Sequence, residues 1–150
     1  MPNILIKLPN GVFDPAARDR LAQAVTAAAM TVEQIGDDPQ HALTTWVVIE
    51  ELEPGHLYVG GGDPLGRFIP VIVFFLPPAG VIDQAGRAEL MKLVHEAVAG
   101  AKPAGDPRPV MTNIIVADVA DGTWGVSGQV WRLPDMARAA GYKHLQHLVT

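Results

Sequence analysis

The chain has 150 residues, with 11 basic and 16 acidic side chains and a formal net charge of −5. The length suits one domain with its own core, and the acidic balance without a basic run argues against a nucleic-acid partner. The absence of cysteine excludes disulfides, thiolate metal sites and thiol nucleophiles. No apolar run is long enough to span a bilayer and no signal-like leader opens the chain, which predicts a cytoplasmic protein without a membrane partner.

The first half of the chain has the pattern of a β-α-β unit. The branched apolar run at 4–8 is ended by Pro-Asn-Gly and predicts a buried strand. Asp14 followed by Pro15 predicts a helix start, and apolar residues at spacings of three and four extend this helix to about Met30. The run at 45–50 predicts a second strand.

The second half repeats the same order of elements. The run at 71–76 predicts a strand, Asp83 predicts the cap of a second long helix, and the run at 112–117 predicts the matching strand. Equivalent landmarks recur at offsets of 67 to 69 residues, and these pairs are Pro2 and Pro70, Leu8 and Leu76, Asp14 and Asp83, and Gly55 and Gly122. Such a fixed period indicates internal duplication.

The duplication predicts a single domain, 1–150, of α/β class. Its repeat units lie at about 2–66 and 70–130, and a C-terminal tail at 131–150 is expected to form a helix or a wrap. Because β-α-β crossovers are right-handed, two units predict a four-stranded sheet with both helices on one face. Strands that are apolar on both faces, in a chain that is 49% hydrophobic, predict that other subunits cover the second face.

Pro2 is the candidate for chemistry at the N-terminus. If Met1 is removed, Pro2 becomes a terminal secondary amine, and burial lowers the pKa of an amine by disfavouring its charged form. No carboxylate is evident nearby in the sequence to oppose that shift. Pro2 is then predicted to be a general base near neutral pH. The alternative is that Pro2 is only the first residue of a strand.

These features together resemble the tautomerase superfamily, whose members begin with a catalytic proline after methionine removal and are built from β-α-β units. The length and the two fused units are most similar to cis-3-chloroacrylic acid dehalogenase and malonate semialdehyde decarboxylase. The segment 47–61 resembles 4-oxalocrotonate tautomerase, Asp14-Pro15-Ala16 resembles the helix start of the dehalogenases, and 123–128 resembles the tryptophan-containing turn of the decarboxylase.

The resemblance implies a homotrimer that binds a small-molecule substrate without a cofactor or a metal. It implies an isomerase in which Pro2 moves a proton during keto-enol tautomerisation, and a substrate pocket lined by Trp46, Leu57 and Trp124. His144 and His147 could share a metal by their spacing, but the sequence offers no third ligand, and exposed tail residues are the preferred interpretation.

The chain departs from the family at its anion-binding positions. Arginines that bind substrate carboxylates in relatives align with Val12, with Trp46 and with the segment 77–81, which contains none. The helix histidine of the dehalogenases aligns with Ala29. We therefore expect substrates with at most one carboxylate, since a buried anion needs a partner. The alternatives are dehalogenation, hydration or decarboxylation on the same scaffold, or a trimer without catalysis.

Overall fold

The computed structural model describes all residues, 1–150. In chain order, the elements are β1 (Asn3–Pro9), α1 (Pro15–Val32), α2 (Pro39–Ala42), β2 (Trp46–Leu52), β3 (Ile69–Leu76), α3 (Gln84–Ala101), β4 (Val110–Val116), β5 (Trp124–Val126), β6 (Gln129–Trp131), α4 (Leu133–Ala140) and a C-terminal 3₁₀ helix (Lys143–Leu148).

The main sheet has four strands in the order β2-β1-β3-β4. β1 is parallel to β2, β3 is parallel to β4, and the two central strands β1 and β3 are antiparallel. Ile6 lies opposite Ile49 on one side and Val73 on the other. Each parallel pair with its crossover helix is one β-α-β unit, so the predicted fold of two fused units is confirmed.

The two long helices begin with the same cap. The side chain of Asp14 accepts a 2.7 Å hydrogen bond from the backbone N–H of Ala17, and Asp83 accepts one of 2.7 Å from Gly86. In each case a short carboxylate satisfies an N–H group that the first helical turn leaves unpaired. α1 and α3 pack against each other, and each of them is 18 residues long.

One face of the sheet contributes to the hydrophobic core beneath α1 and α3. On β1, Ile4, Ile6 and Leu8 are fully buried, as the two-residue period of a strand requires. The opposite face, which we call the open face, carries an apolar row across all four strands. The strand register aligns its members as Val48, Leu5, Phe74 and Ile115. Val48 is 53% exposed and Ile115 is 45% exposed, so the chain itself leaves this row uncovered.

The C-terminal part contains a hairpin that the sequence analysis only half predicts. The segment 123–128 was expected to contain a turn, but neither strand of the hairpin was predicted, and β5 and β6 pair so that Trp124 lies opposite Trp131. Ser127 and Gly128 join them with φ angles of 49° and 81°, which is the backbone of a type I′ turn. The predicted C-terminal helix is present as α4 followed by the 3₁₀ helix. None of the helices combines the length and the apolar composition that crossing a membrane requires.

Candidate functional site

The N-terminal amine lies in a buried polar cluster, which we call the terminal-amine site. The amine of Met1 donates to the carboxylate of Glu33 and to the hydroxyl oxygen of Tyr142. The hydroxyl of Tyr142 donates to the same oxygen of Glu33 at 2.8 Å. Glu33 and Tyr142 are fully buried, and Met1 is 8% exposed. The expectation that no carboxylate lies near the N-terminal amine is therefore wrong.

Glu33 reaches this position because it continues the buried stripe of α1. Leu21, Val25 and Ala29 are buried at intervals of four residues, and Glu33 is the next member of that series. It stands directly after the last helical residue and caps α1, with its backbone N–H bonded to the carbonyl of Ala29. The helix thus places a carboxylate where its pattern otherwise supplies an apolar side chain.

Tyr142 is brought to the same place by the C-terminal tail. α4 ends at Gly141, whose φ of 60° is the left-handed conformation that lets the chain turn out of a helix. Backbone hydrogen bonds then join this turn to the segment after α1. The N–H of Gly36 donates to Ala140 at 3.0 Å and the N–H of Lys143 donates to Gln34 at 2.9 Å. The two ends of the chain therefore close around one carboxylate.

Burial dominates the electrostatics of the terminal-amine site. Desolvation lowers the pKa of the Met1 amine and raises the pKa of Glu33, and the attraction between the two groups opposes both shifts. The pKa values of the amine and the carboxyl are thus shifted toward one another. Burial also raises the pKa of Tyr142, so its hydroxyl stays protonated and donates. The second carboxylate oxygen of Glu33 has no hydrogen-bond partner. Such an arrangement can pass a proton between an amine and an acid.

A cavity of about 350 Å³ lies beside this cluster at the N-terminal end of β1. Met1 forms part of its wall, and all three tryptophans of the chain line it. The lining residues are Met1, Asn3, Leu43, Thr44, Trp46, Trp124, Gly125, Val126, Ser127 and Trp131. None of these side chains carries a charge. We call this space the tryptophan cavity.

The structure brings together two of the three predicted substrate-binding residues. Trp46 and Trp124 both line the tryptophan cavity, and the hairpin adds Trp131, which the sequence analysis missed. Leu57 lies elsewhere, in a small depression beside Pro9 and Asn10 at the opposite end of β1. Within one chain Leu57 does not meet Pro2. Its role in substrate binding stays a prediction that requires a neighbouring subunit.

Pro2 itself is buried and lies between Met1 and the first residue of β1. Its carbonyl accepts a 3.1 Å hydrogen bond from the backbone N–H of Trp46. With Met1 attached, the nitrogen of Pro2 is an amide without a proton, and three covalent bonds place it about 3 Å from the Met1 nitrogen. Pro2 therefore belongs to the same neighbourhood as Glu33 and Tyr142.

The remaining polar candidates lie outside the tryptophan cavity. His144 is half-buried, not an exposed tail residue, and its ring Nε2 lies 3.0 Å from the carbonyl oxygen of Val81, while His147 is exposed. His144 also stands near Glu33, where its attraction lowers the pKa of that carboxyl, against the larger effect of burial. No group of three His, Asp or Glu side chains has a geometry that could hold a metal ion.

No protein-family model and no curated protein sequence matches this chain. Solved structures match it in fold. A native fused 4-OT superposes with a TM-score of 0.68 at 21% identity, over 93% of this chain and 98% of that chain. N1, a member of the cis-3-chloroacrylic acid dehalogenase family, superposes with a TM-score of 0.68 at 13% identity, over 99% of this chain and 92% of its own.

A third match is FG41 malonate semialdehyde decarboxylase inhibited by 3-bromopropiolate. It has a TM-score of 0.62 and 20% identity, over 83% of this chain and 88% of that chain. All three matches are members of the superfamily that the motifs indicated. The resemblance is thereby confirmed at the level of architecture: the chain has the tautomerase-superfamily fold.

Proposed function

We propose that the chain, after removal of Met1, uses the amine of Pro2 to catalyse keto-enol tautomerisation of a small carbonyl compound. The observation that carries this proposal is the burial of the N-terminal amine against Glu33 and Tyr142 at the edge of the tryptophan cavity. A base, an acid and a space for a ligand are thus adjacent. The tautomerase-superfamily fold of the chain supports the same class of chemistry.

Removal of Met1 changes both the chemistry and the shape of the site. It converts the Pro2 amide into a secondary amine, about 3 Å from the position that the Met1 nitrogen occupies. It also removes a residue that is 8% exposed and lines the tryptophan cavity. The space of that side chain then joins the cavity, and a ligand in it can approach the new amine.

The proposed reaction moves a proton from oxygen to carbon in two transfers, both through the amine of Pro2. The neutral amine of Pro2 takes the proton of an enol hydroxyl, so that the O–H bond breaks and the C=O bond forms. The resulting ammonium returns a proton to the carbon that was part of the C=C bond. Between the steps Glu33 stabilises the ammonium as a charge partner, and a pKa lowered by burial keeps enough of the amine in its basic form near neutral pH.

We also propose that the protein assembles as a trimer through the open face. The apolar row of Val48, Leu5, Phe74 and Ile115 is left uncovered by the chain, and such a face favours association with further copies. Three of the fused 4-OT structures with the same fold are trimers. In such an assembly, Leu57 of one copy would complete the tryptophan cavity of another.

One observation supports a second, non-catalytic candidate. With Met1 in place, its amine, one carboxylate oxygen of Glu33 and the hydroxyl of Tyr142 are all hydrogen-bonded to one another within a buried ion pair. If Met1 is retained, Pro2 has no basic nitrogen and this group is purely structural. Dehalogenation, hydration or decarboxylation of a carboxylate substrate is less favoured, because no Lys, Arg or His side chain lines the tryptophan cavity.

Intact-mass analysis followed by a tautomerase assay tests the proposal. Neutral and monocarboxylate enols are screened with the native protein, with Pro2→Ala and with Pro70→Ala. Pro70 is the equivalent of Pro2 in the second unit and is also buried at a strand start, so it controls for loss of a strand proline. We expect the intact mass of the native protein to show that Met1 has been removed. We expect Pro2→Ala to lose tautomerase activity and Pro70→Ala to keep it. A retained Met1 would favour the non-catalytic interpretation, and full activity in Pro2→Ala would show that Pro2 is not the base.

A further inference from the structure

We propose that the site selects carbonyl compounds that carry a flat aromatic group and no carboxylate at all. This proposal rests on the proposed function for the identity of the reacting group and adds the class of substrate. It goes further than the absence of particular arginines, because it follows from the charges and shapes that surround the N-terminal amine in the folded chain.

The charge balance of the site argues against an anionic substrate. The N-terminal amine is the one cation beside the tryptophan cavity, and Glu33, which is fully buried, already matches it. A substrate carboxylate would be a second anion against a single cation. An anion that enters a desolvated site without its own partner is strongly disfavoured. A neutral carbonyl compound leaves the amine and Glu33 balanced.

The cations of the surrounding elements do not supply the missing charge. Three of them pair with carboxylates: Lys7 with Glu50 at 2.8 Å, Arg132 with Asp121 at 3.2 Å, and Lys143 with Asp37 at 2.8 Å. The ring Nε2 of His144 lies 3.0 Å from the carbonyl of Val81. None of these residues lines the tryptophan cavity.

The walls of the cavity favour a flat apolar ligand. Trp124 and Trp131 occupy opposite positions in the β5–β6 hairpin, and Trp46 stands at the start of the edge strand β2 with 68% of its surface exposed. Broad aromatic surfaces gain most from stacking against another ring. The volume of about 350 Å³ suits a ligand of one ring with a short side chain. Because Met1 is buried and lines the cavity, the inner part of the site already holds an apolar residue.

Calorimetric binding of three small ligands tests this inference without turnover. The ligands are acetophenone, benzamide and benzoate, and the protein is the mature chain without Met1. Benzamide and benzoate have nearly the same shape, so they differ mainly in charge. We expect acetophenone and benzamide to bind at least about tenfold more tightly than benzoate, and Glu33→Gln to reduce this ratio severalfold by removing the competing anion.

Trp124→Ala is expected to weaken binding of acetophenone and benzamide about tenfold, whereas Met91→Ala, a change at an exposed site on α3, leaves it unaltered. Three results would overturn the inference. Benzoate could bind as tightly as benzamide, Glu33→Gln could leave the ratio of neutral-ligand to benzoate affinity unchanged, or none of the three ligands could bind. Failure of the proposed function would look different. Preferred binding of the neutral ligands without Pro2-dependent tautomerase activity would support the inference and contradict the catalytic proposal.

Discussion

The hydroxyl of Tyr142 donates a 2.8 Å hydrogen bond to the carboxylate of Glu33, although the two residues are 109 positions apart in the chain. Glu33 caps α1 in the first β-α-β unit, and Tyr142 belongs to the tail that follows the second unit. The bond therefore joins the beginning and the end of the fold directly beside the N-terminal amine. The tail is part of the candidate site and not an appendage to it.

We expect Tyr142→Phe to lower the free energy of unfolding by about 1–3 kcal/mol, because it removes a buried hydrogen-bond donor to a charged group. Urea denaturation measures the change. Tyr58→Phe is the matched control, since Tyr58 is 63% exposed and is expected to change stability by less than about 0.5 kcal/mol. Equal stability of both variants would show that the Tyr142 hydroxyl contributes nothing to the site.

Glu33→Gln should change how stability depends on pH between 4.5 and 8.0, the ordinary values of the carboxyl and the amine. The raised pKa of Glu33 contributes stability that is present below 4.5 and is lost as pH rises through the folded value. The lowered pKa of the amine contributes stability that is present above 8.0 and is lost as pH falls through its folded value. In the native chain the two slopes oppose one another.

In Glu33→Gln only the slope of the amine remains, so the free energy of unfolding should rise more steeply with pH than in the native protein. Urea denaturation at a series of pH values measures this, and Glu96→Gln on the exposed side of α3 is the control. A pH dependence in Glu33→Gln that matches the native protein would contradict the assigned shifts.

The open face should be sensitive to charge. Ile115→Lys places an ammonium in the apolar row across the sheet, whereas Gln23→Lys adds the same charge to an exposed position on α1. We expect sedimentation to show trimers for the native chain and for Gln23→Lys, and smaller species for Ile115→Lys, because burying an unpaired charge is costly. A native protein that is monomeric at micromolar concentration would contradict the trimer.

Much of the fold was predictable because its signals are local. The caps at Asp14 and Asp83 and the strand patterns lie within a few residues of the elements that they define. Because the chain is duplicated, the elements predicted in one unit supported those predicted in the other. β6 was missed because three residues are too short for a pattern, although the Ser127-Gly128 pair that precedes it is a turn signal.

The candidate site was only partly predictable because some of its residues are brought together only by contacts between distant parts of the chain. Trp46 and Trp124 were found through the resemblance, but Glu33 was not, because a glutamate at the end of a helix is ordinarily exposed to solvent. Its place in the series Leu21, Val25, Ala29 was the available signal. Nothing near Tyr142 indicates a partner 109 residues away.

The most direct test of the central claim is an NMR titration of the terminal nitrogen in protein labelled with ¹⁵N-proline. We predict that Pro2 titrates as a secondary amine with a pKa below the ordinary terminal value of about 8, because burial outweighs the attraction of Glu33. We predict a still lower pKa in Glu33→Gln, because that attraction is gone. A Pro2 nitrogen that does not titrate, or a pKa at or above that of a free N-terminal proline, would contradict the account.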